Sequence, residues 1–408
     1  MSFLISSSKL LITKAMLLLI FFTYFPGIVL YYFFPNAYHS YYTYDGEAFS
    51  SLVITLILLL PIMILFQCVS SKISSYRARV LNPKLVVSFF LFVVIVYNFA
   101  SLYFFINYDI SFRHRNRLSD AGGIIIVLFF LRYLALFYLM LCLAKVLRGE
   151  KLKKVQRSTL ILFCLGWLLS INSSLQVIYV FACILVLYGN NFLIQDITLK
   201  KIVILGTIAP LVLFGVLIVG IGNKVGLEFL FSDEGVTFFY GYLSTIAARV
   251  STSLYSLAYA FDTHTWDVET FLKLASYELQ TLTNRIGMLL PLWDVDKESI
   301  TTVSRYNYLH AMENQADRGG STPGILASIY YGGGLPIGLM LISLYLTIIL
   351  NSLSNIFEGV KSYSLPAIVI VSYLVLPFFE NPLSFLNAIQ PPVLYLICIV
   401  LVGKMIKL

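Results

Sequence analysis

Apolar residues in this chain come in long unbroken runs, and polar residues fill the gaps between them. A helix needs ~20 apolar residues to cross a bilayer. Runs of that kind fall at about 13–34, 48–68, 84–107, 121–147, 158–173, 175–190, 201–222, 324–350, 363–380 and 385–403. They are continuous, not alternating, which is the pattern of helices and not of barrel strands. One stretch breaks the rhythm. Residues 223–323 are polar, aromatic and charged, and hold 12 of the 20 acidic residues. Inside it, 236–261 is an apolar run with a single charge, Arg249. Tyr242, Thr245, Arg249, Thr252 and Ser256 recur there at helical spacing and share a face. The spacing predicts an amphipathic helix lying on or dipping into a membrane. A second is predicted over 268–290, with Arg285 near its end. If both crossed instead, the span count would rise by two and the orientation would survive.

The expected fold class is therefore all-α and polytopic. It has three regions: N-terminal transmembrane helices over 1–222, a large loop with amphipathic helices over 223–323, and C-terminal transmembrane helices over 324–408. Composition agrees: 59% of residues are hydrophobic and only 12% charged, against about 25% charged in soluble chains. The formal charge of +8 does not point to nucleic acid, because the lysines and arginines sit in short gaps between apolar runs and form no basic module. The five cysteines lie in or beside apolar runs without paired spacing. They read as small buried hydrophobes. The N-terminal run is too long for a signal segment and reads as an uncleaved first span.

Short loops keep positive charge on the cytoplasmic side. Segments 69–84 and 145–157, Lys200 and Lys201, and Lys404 and Lys407 all fall on one side if the N-terminus is cytoplasmic. The loop 223–323 then faces outward, and both termini face the cytoplasm. The polar break from Ser170 to Gln176 favours a hairpin of two short spans; a single long helix over 158–190 would instead move the large loop into the cytoplasm. No internal repeat is visible, which weighs against transporters built from repeated halves.

Candidate chemistry gathers on the outward side. Arg113, His114, Arg115 and Arg117 form a basic knot, read either as headgroup contact or as an anion site, since guanidinium forks grip phosphate. Arg249 is ionisable amid apolar sequence, so it needs a partner, functional or structural. His310 and Glu313 are three apart and share a face if helical, an arrangement that suits a general base or an ordinary hydrogen-bonded pair. Asp294 with Asp296, and Asp45 with Glu47, are short acidic pairs that could hold a divalent cation. Arg318 precedes a glycine-rich stretch in which Thr322 is expected to cap a helix and Pro323 to sit at its first position. That helix N-terminus would offer free N–H groups to an anion.

The whole pattern resembles a bacterial O-antigen polymerase of the Wzy type: many spans, one large loop before the last few, and outward arginines. Residues 319–333, Gly-Gly-Ser-Thr-Pro-Gly-Ile-Leu-Ala-Ser-Ile-Tyr-Tyr-Gly-Gly, are similar to a small-residue–Pro-Gly stretch in these enzymes. The resemblance implies a GT-C-type bundle of about 10 to 12 helices in the bacterial inner membrane, with the large loop in the periplasm. It implies transfer of a growing glycan from undecaprenyl pyrophosphate to the non-reducing-end sugar of a new lipid-linked repeat, without metal or cofactor. A flippase and a chain-length regulator of the same pathway are the implied partners. Arg113, Arg115, Arg117, Arg249, Arg285 and Arg318 would bind pyrophosphate. His310, Glu313 and Arg249 would carry catalysis, and Trp293, Tyr306 and Tyr308 would stack on sugars, as could Tyr240, Tyr242, Tyr255 and Trp266. Two other readings stay open: an O-antigen ligase transferring polymer to lipid A core, and a flippase of lipid-linked sugars.

Overall fold

The computed structural model describes residues 20–36 except 22, then 42, 44, 46–70, 83–107, 151–170, 227–289, 302–312, 321–358 and 381–384, with scattered positions at 131, 142 and between 207 and 222. The described residues form α-helices and no strand. The chain divides into two compact units. The first comprises Met1–Arg77, Leu243–Ile356 and Val375–Val393; the second comprises Ala78–Tyr242, Phe357–Leu374 and Leu394–Leu408.

Apolar runs become helices close to the expected limits. Run 48–68 forms α1 (Ala48–Ser70), run 84–107 forms α2 (Pro83–Asn107) and run 158–173 forms α3 (Lys154–Ser170). Among the described residues one helix, Ala48–Phe66 within α1, is long and apolar enough to cross a membrane; Leu91–Tyr103 and Gly334–Ile348 are shorter apolar helices. The expected spans 121–147, 175–190, 363–380 and 385–403 lie outside the described residues save for single positions, and 13–34 and 201–222 are described in part. In the second unit α2 packs on α3, with Tyr97 and Phe163 ring centroids 5.7 Å apart.

The polar stretch opens with a short turn of helix, α4 (Leu227–Leu230), and then α5 (Asp233–His264). Ser232 caps α5, its Oγ accepting the Gly235 N–H at 3.0 Å, and Asp233 and Glu234 complement the dipole of the first turn. The α5 residues from Leu243 onward belong to the first unit. There the expectation of a surface-lying helix gives way. Leu254 through Ala258, and Ala260, are buried, so this half packs as a core helix and not as one with a single covered face. Two of its polar positions are turned inward: Thr252 Oγ1 lies 3.0 Å from the Tyr42 hydroxyl, and Ser256 is fully buried.

After a turn come α6 (Val268–Leu289) and α7 (Val303–His310). Two acceptors cap α7. Thr302 accepts the Arg305 N–H at 3.1 Å, and buried Glu278 of α6 accepts the Val303 N–H at 2.8 Å. A carboxylate in that place meets the positive end of the helix.

Run 324–350 is not the single span its hydropathy predicts. It is broken into α8 (Gly324–Tyr331) and α9 (Gly334–Glu358). The cause is the triplet Gly332-Gly333-Gly334, where Gly333 and Gly334 take φ of 110° and 77°, a region that costs residues with a Cβ. The turn also sits tight against the α5–α6 turn: Leu335 N–H donates to Thr265 O at 2.7 Å, and a Cβ on Gly334 would lie 2.3 Å from that oxygen. The expected Thr322 cap is likewise corrected. Pro323 occupies the cap position without a side-chain bond, and the Leu326 N–H is taken by the Tyr24 hydroxyl at 3.0 Å. All eight α8 residues are buried, so the Tyr24 bond to this N-terminus is made inside the protein.

Gly334→Ala should therefore destabilise the chain by roughly 1–3 kcal/mol, the combined cost of a positive φ and an overpacked contact. Gly215→Ala, where an added Cβ meets nothing within 4 Å, should be neutral. Thermal unfolding of the detergent-solubilised variants compares the two.

Candidate functional site

The polar side chains of the first unit converge on Asn307 of α7. Its Nδ2 donates to Ser256 Oγ of α5 at 2.9 Å and to Ser321 O at 3.1 Å, and its Oδ1 accepts the Tyr331 hydroxyl of α8 at 2.8 Å. Asn307 is fully buried. The neighbouring backbone is fixed too: the Ser321 N–H donates to Ser304 O at 2.9 Å, and Asn381 Nδ2 donates to Ser304 Oγ at 3.0 Å. This network locks the rotation of α7 and so decides which way Tyr306 and His310 face.

They face the end of α5. Tyr306 and His310, one turn apart, have ring centroids 4.2 Å apart. His264, the last residue of α5, lies 6.1 Å from Tyr306, 5.4 Å from Tyr331 and 6.1 Å from Tyr259. Three tyrosine rings thus surround one imidazole, and a second, exposed imidazole stacks near one of them. Beside it, Tyr44 donates to Asp262 and packs edge-on to Tyr259, while Tyr42 stacks on Tyr255 at 4.4 Å.

The His264 ring is held by Asp267, whose Oδ2 lies 3.1 Å from Nδ1. Asp267 is also the N-cap of α6: Oδ1 accepts the Thr270 N–H at 3.0 Å, and Oδ2 accepts the Thr270 hydroxyl. Burial opposes the Asp267 charge, but the bonds from Thr270 and His264 prevail and hold the carboxyl below its ordinary range. The other ring nitrogen, Nε2, is buried and has no hydrogen-bond partner, a condition that costs about 1–3 kcal/mol. Burial holds the His264 imidazole below its ordinary value, against the pull of Asp267. His310 is held low as well, by burial first and then by Lys273 and His264. Burial raises the Tyr306 phenol, against a bond from Thr270.

Of the residues singled out by sequence, the structure brings Tyr306 and His310 together. Tyr308 lies apart from this cluster, under the guanidinium of Arg305 at 5.6 Å. Arg249 and Arg285 are placed on α5 and α6, but their side chains are outside the described set. Glu313, Arg113, Arg115, Arg117, Arg318, Trp293, Asp45, Asp294 and Asp296 lie outside the described residues. Among the described residues no three His, Cys, Asp or Glu side chains meet as metal ligands. Sequence reasoning passed over the His264–Asp267 pair. Its one visible signal was an Asp three residues after a His, which also reads as a plain helix cap.

No protein-family model, curated protein or solved structure matches the chain.

Two outcomes test this geometry. Asn307→Ala leaves buried hydroxyls and a carbonyl unpaired and should cost about 2–3 kcal/mol, read as a lower melting temperature. Both histidines are held below the ordinary value of 6.5, so the unfolded chain binds more protons in the acid range. Stability is then full above pH 6.5 and falls as pH drops through the folded values. Melting temperature should fall from pH 7.5 to 5.5, and His264→Gln should flatten that slope.

Proposed function

We propose that the chain is an O-antigen polymerase of the Wzy type, a metal-independent glycosyltransferase of the bacterial inner membrane with a GT-C-type, polytopic fold. Its large loop would face the periplasm and both termini the cytoplasm. It would take a growing glycan from undecaprenyl pyrophosphate and join it to the non-reducing-end sugar of a new lipid-linked repeat.

The observation that carries this reading is an inverted polarity shared by α1 and α9. On α1, Ser51 and Thr55 are buried while Ile57, Ile64 and Leu65 are exposed. On α9, Ser343 and Thr347 are buried while Met340, Leu344 and Ile348 are exposed. Trp266, in the turn between α5 and α6, is 69% exposed. Water-facing helices do the reverse. Helices packed by Ser and Thr and coated with Leu, Ile and Met suit a lipid surround, with Trp at its boundary. The His–Tyr cluster is carried on α5, α7 and α8, and α8 is tied to α1 where Tyr330 Oη meets Thr55 Oγ1 at 2.7 Å. Sugar-stacking rings and proton-accepting groups beside lipid-facing helices suit a substrate with a sugar head and a polyprenyl tail.

The chemistry follows from the leaving group. Pyrophosphate gathers negative charge as the anomeric bond breaks, and fixed cations lower that barrier. Arg249 lies one turn before Thr252 and two before Ser256 on α5, which places it at the register of the face that meets Tyr42 and Asn307. It joins Arg113, Arg115, Arg117, Arg285 and Arg318 as a pyrophosphate ligand in this proposal.

Deletion of the gene should leave lipid A core capped with one repeat, and the wild-type chain should restore a polymer ladder on gels. Arg249→Ala and Arg318→Ala should keep the single-repeat pattern at normal protein levels. Wild-type polymer lengths in both variants would remove the arginines from the mechanism. A deletion strain with no repeat on the core, and polymer left on the carrier, would make the chain a ligase; one exporting no repeat would make it a flippase.

A further inference from the structure

We propose that His264, oriented by Asp267, is the group that takes the proton from the acceptor sugar hydroxyl; this rests on the glycosyl-transfer reading above. An ionised carboxylate only accepts hydrogen bonds. Asp267 Oδ2, 3.1 Å from Nδ1, therefore fixes the proton of the neutral ring on Nδ1 and leaves the Nε2 lone pair bare. That nitrogen is buried and unpartnered, on a side chain only 10% exposed. A capping Asp needs one carboxylate oxygen for the helix, and Oδ1 already serves. Holding an imidazole with the other oxygen, and burying its free nitrogen unpaired, does nothing for the cap. The arrangement is that of an oriented base.

Access is set by the tyrosines. Tyr331 is fully buried and tied to Asn307, which closes one side. Tyr259 and Tyr306 are half-buried, so a sugar ring approaches on their side and displaces an edge to reach Nε2. The titratable groups facing this imidazole are Asp267 in the turn, Tyr259 of α5, Tyr306 and His310 of α7 and Tyr331 of α8, while Lys273 of α6 acts on His310. In the step, the acceptor O–H bond breaks and its proton passes to Nε2. The oxygen forms the new bond to the anomeric carbon. The anomeric C–O bond to pyrophosphate breaks, and its electron pair leaves with the pyrophosphate. Asp267 stays ionised beside the imidazolium, which then releases the proton to water. His264 is the catalytic residue; Asp267 is a positioning residue.

The test uses detergent-permeabilised membranes from a deletion strain that holds its own lipid-linked repeats, complemented with each variant and assayed from pH 5 to 8. His264→Gln should reach normal levels in the membrane and lose about 10²- to 10⁴-fold in polymer formation, the range for a general base. Asp267→Asn keeps an N-cap of equal quality but removes the charge that favours imidazolium, and its amide nitrogen, in the place of Oδ2, donates to Nδ1 and turns the neutral ring to the Nε2–H tautomer. It should lower the rate and move the acid limb of the pH profile to lower pH. A rate for His264→Gln within about twofold of wild type, at normal protein level, overturns the proposal; by contrast, failure of the wild-type chain to restore polymer overturns the polymerase reading. The dyad is then still read by ¹⁵N-histidine NMR on the purified wild-type chain, which has four histidines, with His264→Gln for assignment. A neutral Nδ1–H tautomer is expected; an Nε2–H tautomer removes the base.

Discussion

A carboxamide offers two donors and two acceptor sites in one plane, and Asn307 uses them to tie α5, α7 and α8 together. Ser256, Ser321 and Tyr331 all bond to it. Apolar packing alone would leave α7 free to slide or turn, since dispersion has no direction. A buried polar group is different, because rotating it away leaves partners unpaired. The hub thus converts a loose apolar contact into one register. Tyr306 and His310 are set by that register against the end of α5, and Tyr331 is pinned on the opposite wall. The site is a consequence of the hub and not an independent feature.

Helices were legible where hydrophobic pattern alone decides. Long continuous runs gave α1 and α2 almost to the residue, and helical periodicity gave α6 and the body of α5. Hydropathy failed at residues 332–334, because a scale of transfer energy assigns glycine a mild value and is blind to φ. The chain there turns, and the turn is what lets α9 reach the backbone of Thr265. Pattern also misjudged the second half of α5. An apolar stripe beside a polar one looks like a surface helix, yet here apolar Leu254 and Leu257 and polar Ser251 and Ser256 are buried alike.

The candidate site was legible in part for a related reason. Tyr306 and His310 are a turn apart, so helical spacing alone predicts that they meet. Their approach to His264 depends on the Asn307 network, and no spacing rule carries that. Asp267 was hidden by its own ordinary explanation. It stands at the start of a helix with Thr270 three residues on, and every feature of it is accounted for by capping. Only the coordinates of its second oxygen show that it holds an imidazole as well.

Such double use has a physical logic. A base must be held still, and a capping side chain is held by the N–H groups of its helix's first turn. Thr270 binds both Asp267 oxygens, so the carboxylate cannot swing, and the imidazole it holds cannot swing either. The same bonds keep Asp267 ionised against burial, which an acceptor-only partner of Nδ1 requires. Local folding thus supplies orientation at no further entropic cost. It also sets a limit: any substitution that unwinds the first turn of α6 releases the ring together with the cap, so at position 267 loss of structure and loss of chemistry part company only in the Asn variant, which keeps the cap but loses the charge and the acceptor at Nδ1.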